Sequence, residues 1–270
     1  MVDGTARSAA FFDLDKTIIA KSSTLAFSRS FYEGGLISRK SVLRSSYAQF
    51  VYLFGRTDHA RMERMRQYLT DMSVGWNVQT VKDIVAETLH QIIDPMVYDE
   101  AIGLIEQHRA DGREVVIVST SGSEVVEPIG TMLGADRVIA TVMVQDEGRY
   151  TGAIDFYAYA ENKATAIREL AEREGYDLQA SYAYSDSVTD IPMLESVGHP
   201  HAVNPDKALR RQAVERGWAV LDFSKPVKLR RRVPFQPPRT VLAAVVVSLV
   251  AAIAGGVAVA SRRSHQLAAA

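Results

Sequence analysis

The sequence predicts an α/β fold, a parallel sheet with crossover helices, and three observations predict it. Short apolar runs rich in β-branched residues alternate with longer segments of helical periodicity. A long stretch of helical pattern separates the first run, AAFF at 9–12, from the second, EVVIV at 114–118. Polar residues able to carry chemistry fall where the runs end, as they do at the carboxyl edge of an open, Rossmann-like sheet.

Taken in order, AAFF runs directly into DLDKT, 13–17. The stretch that follows divides into helices around 23–33, 39–54, 57–72 and 77–91, broken at Gly34-Gly35 and Gly55 and left at Asp94-Pro95. Ser38 and Asn77 stand where N-caps belong, since their short side chains accept from the first free N–H groups of a helix. An insertion of some 75 residues predicts a covering domain over 21–95, with the α/β core formed by 1–20 and 96–222. In that core, helices fill about 97–110, 123–133, 162–174 and 205–216, and strands are RVIA (137–140), SYAYS (181–185), HAV (201–203) and WAVL (218–221). VMVQDEGRYTGAI reads as a hairpin turning at Glu147-Gly148.

None of the 270 residues is a cysteine, which excludes disulfides, thiolate metal sites and a cysteine nucleophile. The net charge of −1 conceals an asymmetry: 8 of the 31 basic residues, and none of the 32 acidic ones, fall within 223–270. The body keeps 23 basic against 32 acidic residues and repels a phosphate backbone, so no nucleic-acid partner is expected. The tail divides into a basic linker, 223–239, the uncharged run TVLAAVVVSLVAAIAGGVAVA, 240–260, and a short end, 261–270. As a transmembrane helix this run is about 31 Å long, enough to cross a bilayer. Six basic residues precede it and two follow, so the expectation is a single-pass membrane protein with residues 1–239 cytoplasmic. KLRRRVPFQPPR is suited to anionic lipid. Ala251/Gly255 and Ala252/Gly256 have the spacing through which helices pair, the one pointer to a homodimer.

Four polar features fall at strand or helix junctions: Asp13 with Asp15, Ser119-Thr120-Ser121-Gly122, Lys163, and Asp186 with Asp190. Burying carboxylates at a strand end is costly unless a cation or a reaction uses them. Carboxylates, a hydroxyl and one ammonium at a single crevice suit a divalent cation and a phosphoryl group, and an all-oxygen donor set favours Mg²⁺. Each feature alone has an ordinary explanation as a turn, a cap or a solvated lysine. Their order along the chain makes them one site. A calcium loop is excluded, because the twelfth position from Asp13 is Thr24 rather than glutamate and the sixth is Ile18 rather than glycine.

On these residues the sequence resembles the haloacid-dehalogenase-like hydrolase superfamily, in its phosphoserine-phosphatase-like branch, subfamily IB. FFDLDKT is similar to the first motif, DxDx[TV]; VIVSTSG to the second; Lys163 in ENKATAI to the third; and YSDSVTDIPML to the fourth, GDxxxD. The insertion after the first motif is similar to a helical C1-type cap. The resemblance implies a phosphatase acting on a small phosphorylated substrate. In it Asp13 is the nucleophile that forms an aspartyl phosphate, and Asp15 is the general acid and then the base. Ser119, Thr120 and Lys163 bind the phosphoryl group and neutralise its charge. Asp13, Asp15 through its carbonyl, Asp186 and Asp190 hold Mg²⁺ or support it, Asp190 alternatively by orienting Lys163.

Three positions depart from the family pattern. Ser185 replaces a usual glycine and Thr189 a usual asparagine, both small polar exchanges. Ser22 stands where phosphoserine phosphatases place a glutamate on the substrate ammonium, which argues against phosphoserine itself. The alternative reading is a non-catalytic, membrane-tethered adaptor that retains the fold. A signalling receiver domain uses similar groups, but its phosphoacceptor sits on a later strand than its acidic pair and it lacks such an insertion.

Overall fold

The computed structural model describes residues 7–37, 66–67 and 70–224. The predicted helix 39–54, most of 57–72, the Ser38 cap, the basic linker beyond 224 and the apolar run 240–260 lie outside the described residues. Among the described residues no helix is long and apolar enough to cross a membrane.

Seven strands form one sheet: β1 (Ala9–Asp13), β2 (Glu114–Gly122), β3 (Arg137–Asp146), β4 (Arg149–Phe156), β5 (Tyr182–Ser185), β6 (His199–Val203) and β7 (Ala219–Leu221). Their order across the sheet is β4-β3-β2-β1-β5-β6-β7. Every pair is parallel except the β3–β4 hairpin. From β1 the chain builds outward to β2 and β3, then returns to place β5 on the other side of β1. The order therefore reverses at β1, which leaves a crevice beyond its carboxyl end.

Eight labelled helices accompany the sheet. Between β1 and β2 lie α1 (Ser23–Ala26), α2 (Ser28–Glu33), α3 (Val78–Ile93) and α4 (Asp99–Ala110). After β2 come α5 (Ser123–Leu133), α6 (Glu161–Glu174), α7 (Ile191–Glu195) and α8 (Lys207–Arg216). Strand periodicity of two splits the core between the faces of the sheet. Ala10, Phe12, Val115 and Ile117 face α3, α4 and α5, while Ala9, Phe11, Val116 and Val118 face α6, α7 and α8. All five residues of β1 are buried, the continuous apolar reading of a central parallel strand.

Most predicted elements lie within a few residues of those observed, and three differ in kind. EVVIV does not end at Val118, because β2 continues through Ser119-Thr120-Ser121-Gly122. Its register against β3 shifts between Ser119 and Gly122, so the serine-rich end leaves the regular ladder at the crevice. RVIA and VMVQD are one ten-residue strand, β3, and the hairpin turns at Glu147-Gly148 with both residues at positive φ. The helix expected over 23–33 is two, divided at Phe27, whose ring is fully buried and packs on Phe31 with centroids 6.1 Å apart.

The described part of the inserted segment is fastened at both ends. Asn77 caps α3 by accepting from the Thr80 N–H at 2.9 Å, as its position predicts. Just before it, Gly75 N–H donates to the Tyr150 carbonyl at 2.8 Å, Tyr150 N–H to that of Trp76 at 3.1 Å, and Val78 N–H to that of Gly148 at 3.0 Å. The β3–β4 hairpin is thus paired through its backbone to the start of α3. At the other end, α1 packs against β2 and α5, close to the crevice.

Candidate active site

Asp13 is the last residue of β1, so its side chain enters the crevice from the central strand. Leu14 is completely buried in the core, which turns the chain between the two aspartates. Asp13 and Asp15 then meet different partners. Asp13 Oδ1 accepts from Lys163 Nζ at 2.7 Å. The same ammonium donates to Asp190 Oδ2 at 2.8 Å, and Ser185 Oγ donates to that oxygen at 2.7 Å. Lys163 is 1% exposed, Asp13 6% and Asp190 3%, so this is a buried charge cluster closed by one hydroxyl.

Lys163 reaches the cluster from the first turn of α6. Asp190 ends a 3-10 turn, Val188–Asp190, that leads into α7. That turn is braced from α8. Asp206 accepts from the Val188 N–H at 3.1 Å while capping α8, and its own N–H donates to the Asp186 carbonyl at 2.9 Å.

Asp15 is held without any cation in hydrogen-bond contact. Its Oδ1 accepts from the Ser23 N–H at 2.7 Å and its Oδ2 from Ser121 Oγ at 3.1 Å. Ser119 is buried, and its Oγ accepts from the Ser121 N–H at 3.2 Å. The Thr120 hydroxyl donates to the Ala158 carbonyl at 2.9 Å, so a contact from Thr120 to a ligand falls to its backbone. Asp186 makes no side-chain hydrogen bond to any described residue.

The electrostatics of the carboxylates agree in direction. Burial pushes Asp13 up to about 7, opposed by the Lys163 ammonium and reinforced by Asp190 and Asp15. Burial also raises Asp15, against the lowering effect of its hydrogen bonds from Ser23 and Ser121. Asp186 is raised well above the usual range by burial and then by the charge of Asp13, with Lys16 opposing. Lys163 is raised despite its burial, because Asp13 and Asp190 both favour the ammonium. One buried ammonium thus faces several desolvated carboxylates, and Asp186, beside Asp13, accepts no side-chain hydrogen bond from a described residue, with only the charges of Lys16 and Lys163 opposing its rise. An all-oxygen pair of this kind fits a hard divalent cation. No three acidic or histidine side chains form a self-sufficient metal cluster among the described residues. A cation held by this pair would take its remaining ligands from the backbone, water or substrate.

All the residues singled out from the sequence come to the carboxyl edge of β1, β2 and β5 or to the first turn of α6. Four residues that complete the geometry had no role assigned from the sequence. Ser185 was visible only as a departure from a glycine, and here it is a donor to Asp190. Ser23 lies in AKSST, whose serines carried no motif, and Ser121 appeared only as part of STSG. Asp206 had a readable signal: an Asp opening a helical pattern is an N-cap.

Comparison with known proteins agrees with this architecture. Residues 10–195 match the haloacid dehalogenase-like hydrolase family. The chain is 64% identical over 266 residues to a Streptomyces azureus protein named for inhibition of morphological differentiation, covering 97% of this chain and 96% of that one. It is 56% identical over 252 residues to a probable phosphatase of Mycobacterium tuberculosis, covering 93% and 88%. Among solved structures, a Bordetella pertussis protein of unknown function superposes with a TM-score of 0.70 at 28% identity, covering 81% of this chain and 99% of that one. A substrate-bound phosphoserine phosphatase gives a TM-score of 0.59 at 18% identity, covering 84% and 97%, a likeness of fold alone. The chain belongs to the haloacid dehalogenase-like hydrolase family. Within it, this is an enzyme of the phosphatase kind.

Proposed function

We propose that the protein is a Mg²⁺-dependent phosphomonoesterase working through an aspartyl phosphate on Asp13, with Asp15 as acid and base. The observation that carries this reading is the setting of Asp13. It stands at the point where the strand order reverses, one oxygen on the Lys163 ammonium, and it neighbours Asp186, a buried carboxyl whose rise the charge of Asp13 reinforces. Asp13 and Asp186, with the Asp15 carbonyl, would hold the cation. When bound, that ion screens the carboxylates from an anionic substrate and polarises the phosphoryl group.

The chain's own residues do the rest. Asp13 attacks phosphorus as the leaving oxygen departs, and Asp15 gives that oxygen a proton; the resulting carboxylate then takes a proton from the water that hydrolyses the acyl phosphate. Lys163 and the Ser119 hydroxyl balance charge on the phosphoryl oxygens. Asp190 and Ser185 fix the Lys163 ammonium toward Asp13. With Ser22 lacking a carboxylate, the reading stops at phosphomonoesters as a class. Residues 240–260 are proposed to tether this enzyme to a membrane with residues 1–239 on the cytoplasmic side, from their apolar length and the basic excess before them.

The test is Asp13→Asn assayed with Mg²⁺ on an aryl phosphate and a panel of alkyl phosphates. Turnover should fall by about 10³-fold or more while the melting transition persists, since the nucleophile has no substitute. Undiminished turnover by that variant overturns the reading. A wild-type chain that binds Mg²⁺ but hydrolyses no member of the panel supports the adaptor instead.

A further inference from the structure

The phosphatase reading leaves one polar cluster at the crevice without a role. Ser121 Oγ lies 3.1 Å from Asp15 Oδ2, 2.9 Å from Ser23 Oγ and 2.9 Å from Thr24 Oγ1. A hydroxyl has one proton to give and two lone pairs to accept with. A carboxylate only accepts, so the Ser121 proton is directed to Asp15. Both lone pairs of Ser121 are then filled by the protons of Ser23 and Thr24. All its hydrogen-bonding capacity is used, and its rotor has a single orientation. Ser23 is fully buried and Ser121 8% exposed, so water competes little for these bonds. In such surroundings successive hydrogen bonds polarise one another in the same direction, here toward Asp15.

The donors come from two separate parts of the chain. Ser121 belongs to the end of β2, while Ser23 and Thr24 open α1, the first element of the inserted segment. Helix α1 has four residues, far below the length of about 12 at which a helix begins to persist unaided. Its seat depends on what it touches. Ser23 contributes twice, with its N–H on Asp15 Oδ1 at 2.7 Å and its hydroxyl on Ser121. One carboxylate oxygen is thus fixed by the segment directly and the other through Ser121.

We propose that Ser121 is a positioning residue for the Asp15 carboxyl, and that Ser23 and Thr24 make this positioning depend on the seat of α1. With α1 in place, both Asp15 oxygens are fixed and its transferable proton is confined to the lone pairs that Ser23 and Ser121 leave open. With α1 displaced, the Ser23 N–H leaves Oδ1 and Ser121 loses both donors, so the carboxyl is free to rotate. The proposal rests on the acid role given to Asp15, and its test separates the two.

The experiment uses the full-length chain with Mg²⁺ and compares kcat/KM for p-nitrophenyl phosphate and β-glycerophosphate. This parameter reports the steps through departure of the leaving group, so hydrolysis of the acyl phosphate does not mask it. An aryl oxide departs with little help from an acid, whereas an alkoxide needs the proton. Ser121→Ala should lower kcat/KM for the alkyl ester by about 10- to 100-fold, a part of what a whole general acid supplies, and by less than about 3-fold for the aryl ester. Ser121→Thr keeps a hydroxyl and should restore most of the loss. The double variant Ser23→Ala with Thr24→Ala leaves Ser121 in place and should show the same bias at smaller size, and it carries the test if Ser121→Ala folds poorly. Asp15→Asn is the control and should show the largest bias. If Asp15→Asn is unbiased, the acid assignment fails. If it is biased while Ser121→Ala and the double variant lower both esters equally or not at all, or if threonine does not rescue, the positioning role is overturned.

Discussion

On the β5 flank of the crevice, Asp13 is held by a buried ammonium shared with Asp190; on the β2 flank, Asp15 is held by one N–H and a chain of hydroxyls. The first arrangement is strong, but it leaves more negative than positive charge in the cluster, so its stability depends on proton and cation supply. The second contains no formal charge apart from Asp15, and its hydroxyl and N–H donors need no cation. The charged flank gathers what phosphoryl transfer consumes, namely positive charge. The hydroxyl flank fixes a direction, which proton transfer requires. Perturbations of the two should therefore differ in size and in sensitivity to pH and Mg²⁺.

The largest difference is expected from removing the ammonium. Lys163→Ala strips the partner from two buried carboxylates, and breaking a buried pair by deleting one member costs about 3–5 kcal/mol. Removing one hydroxyl from the other flank, as in Thr24→Ala, costs about 1 kcal/mol. Urea unfolding of the two variants beside the wild type measures both. A Lys163→Ala midpoint no lower than that of Thr24→Ala would erase the distinction between the flanks.

The second test uses pH. Asp13 has an ordinary value of 3.8, raised to about 7 in the folded protein. Below 3.8 both states hold the proton. Between 3.8 and 7 the unfolded chain has released it while the folded protein keeps it, so rising pH removes stability across this window; above 7 the penalty is constant. His108 runs the other way. Burial lowers it from 6.5 to about 4, so a rise through that range adds stability. The two contributions are separated by taking the difference in melting temperature between Asp13→Asn and wild type without divalent cations. That difference should be near zero at pH 4, grow in favour of the variant up to about pH 7 and then level off. Mg²⁺ at pH 8 should raise the wild-type transition and leave Asp13→Asn nearly unmoved. Asp15→Asn should not abolish the Mg²⁺ response, since only the backbone carbonyl of Asp15 is assigned to the ion.

The same division separates what the sequence made legible from what it hid. The charged flank could be read because its members are chemically conspicuous. An aspartate pair ending an apolar run, a lysine opening a helix and two aspartates after a third run each conflict with burial unless they serve one site. The doubly wound sheet was legible for a related reason, since β-branched runs such as EVVIV have one low-energy use. Serines give no such contrast: Ser23, Ser121 and Ser185 belong to the residue type most at home in turns and caps. Only coordinates reveal which hydroxyl meets which carboxylate. The end of β2 was misjudged by the same mechanism, because STSG has the composition of a helix start but is carried on as strand by pairing with β3. Tertiary context overrode local preference there.

The smallest expected effect lies where the charged flank meets the backbone. Ala160, three residues before Lys163, has φ 49° and ψ −122°. Asn162 N–H donates to the Tyr159 carbonyl at 3.1 Å, closing a four-residue turn whose first central position is Ala160. That is the geometry of a type II′ turn, where glycine is favoured because Cβ crowds the backbone at positive φ. A non-glycine residue held there costs about 1–3 kcal/mol. Glycine in turn adds about 0.4–1 kcal/mol of freedom to the unfolded chain. Ala160→Gly should therefore stabilise by roughly 1 kcal/mol net, read as a small rise in melting temperature, with kcat within about twofold of wild type because α6 keeps its position. A fall in kcat with unchanged stability would mean that the strained turn itself aims the Lys163 ammonium, and the charged flank would then depend on backbone geometry as closely as the hydroxyl flank does.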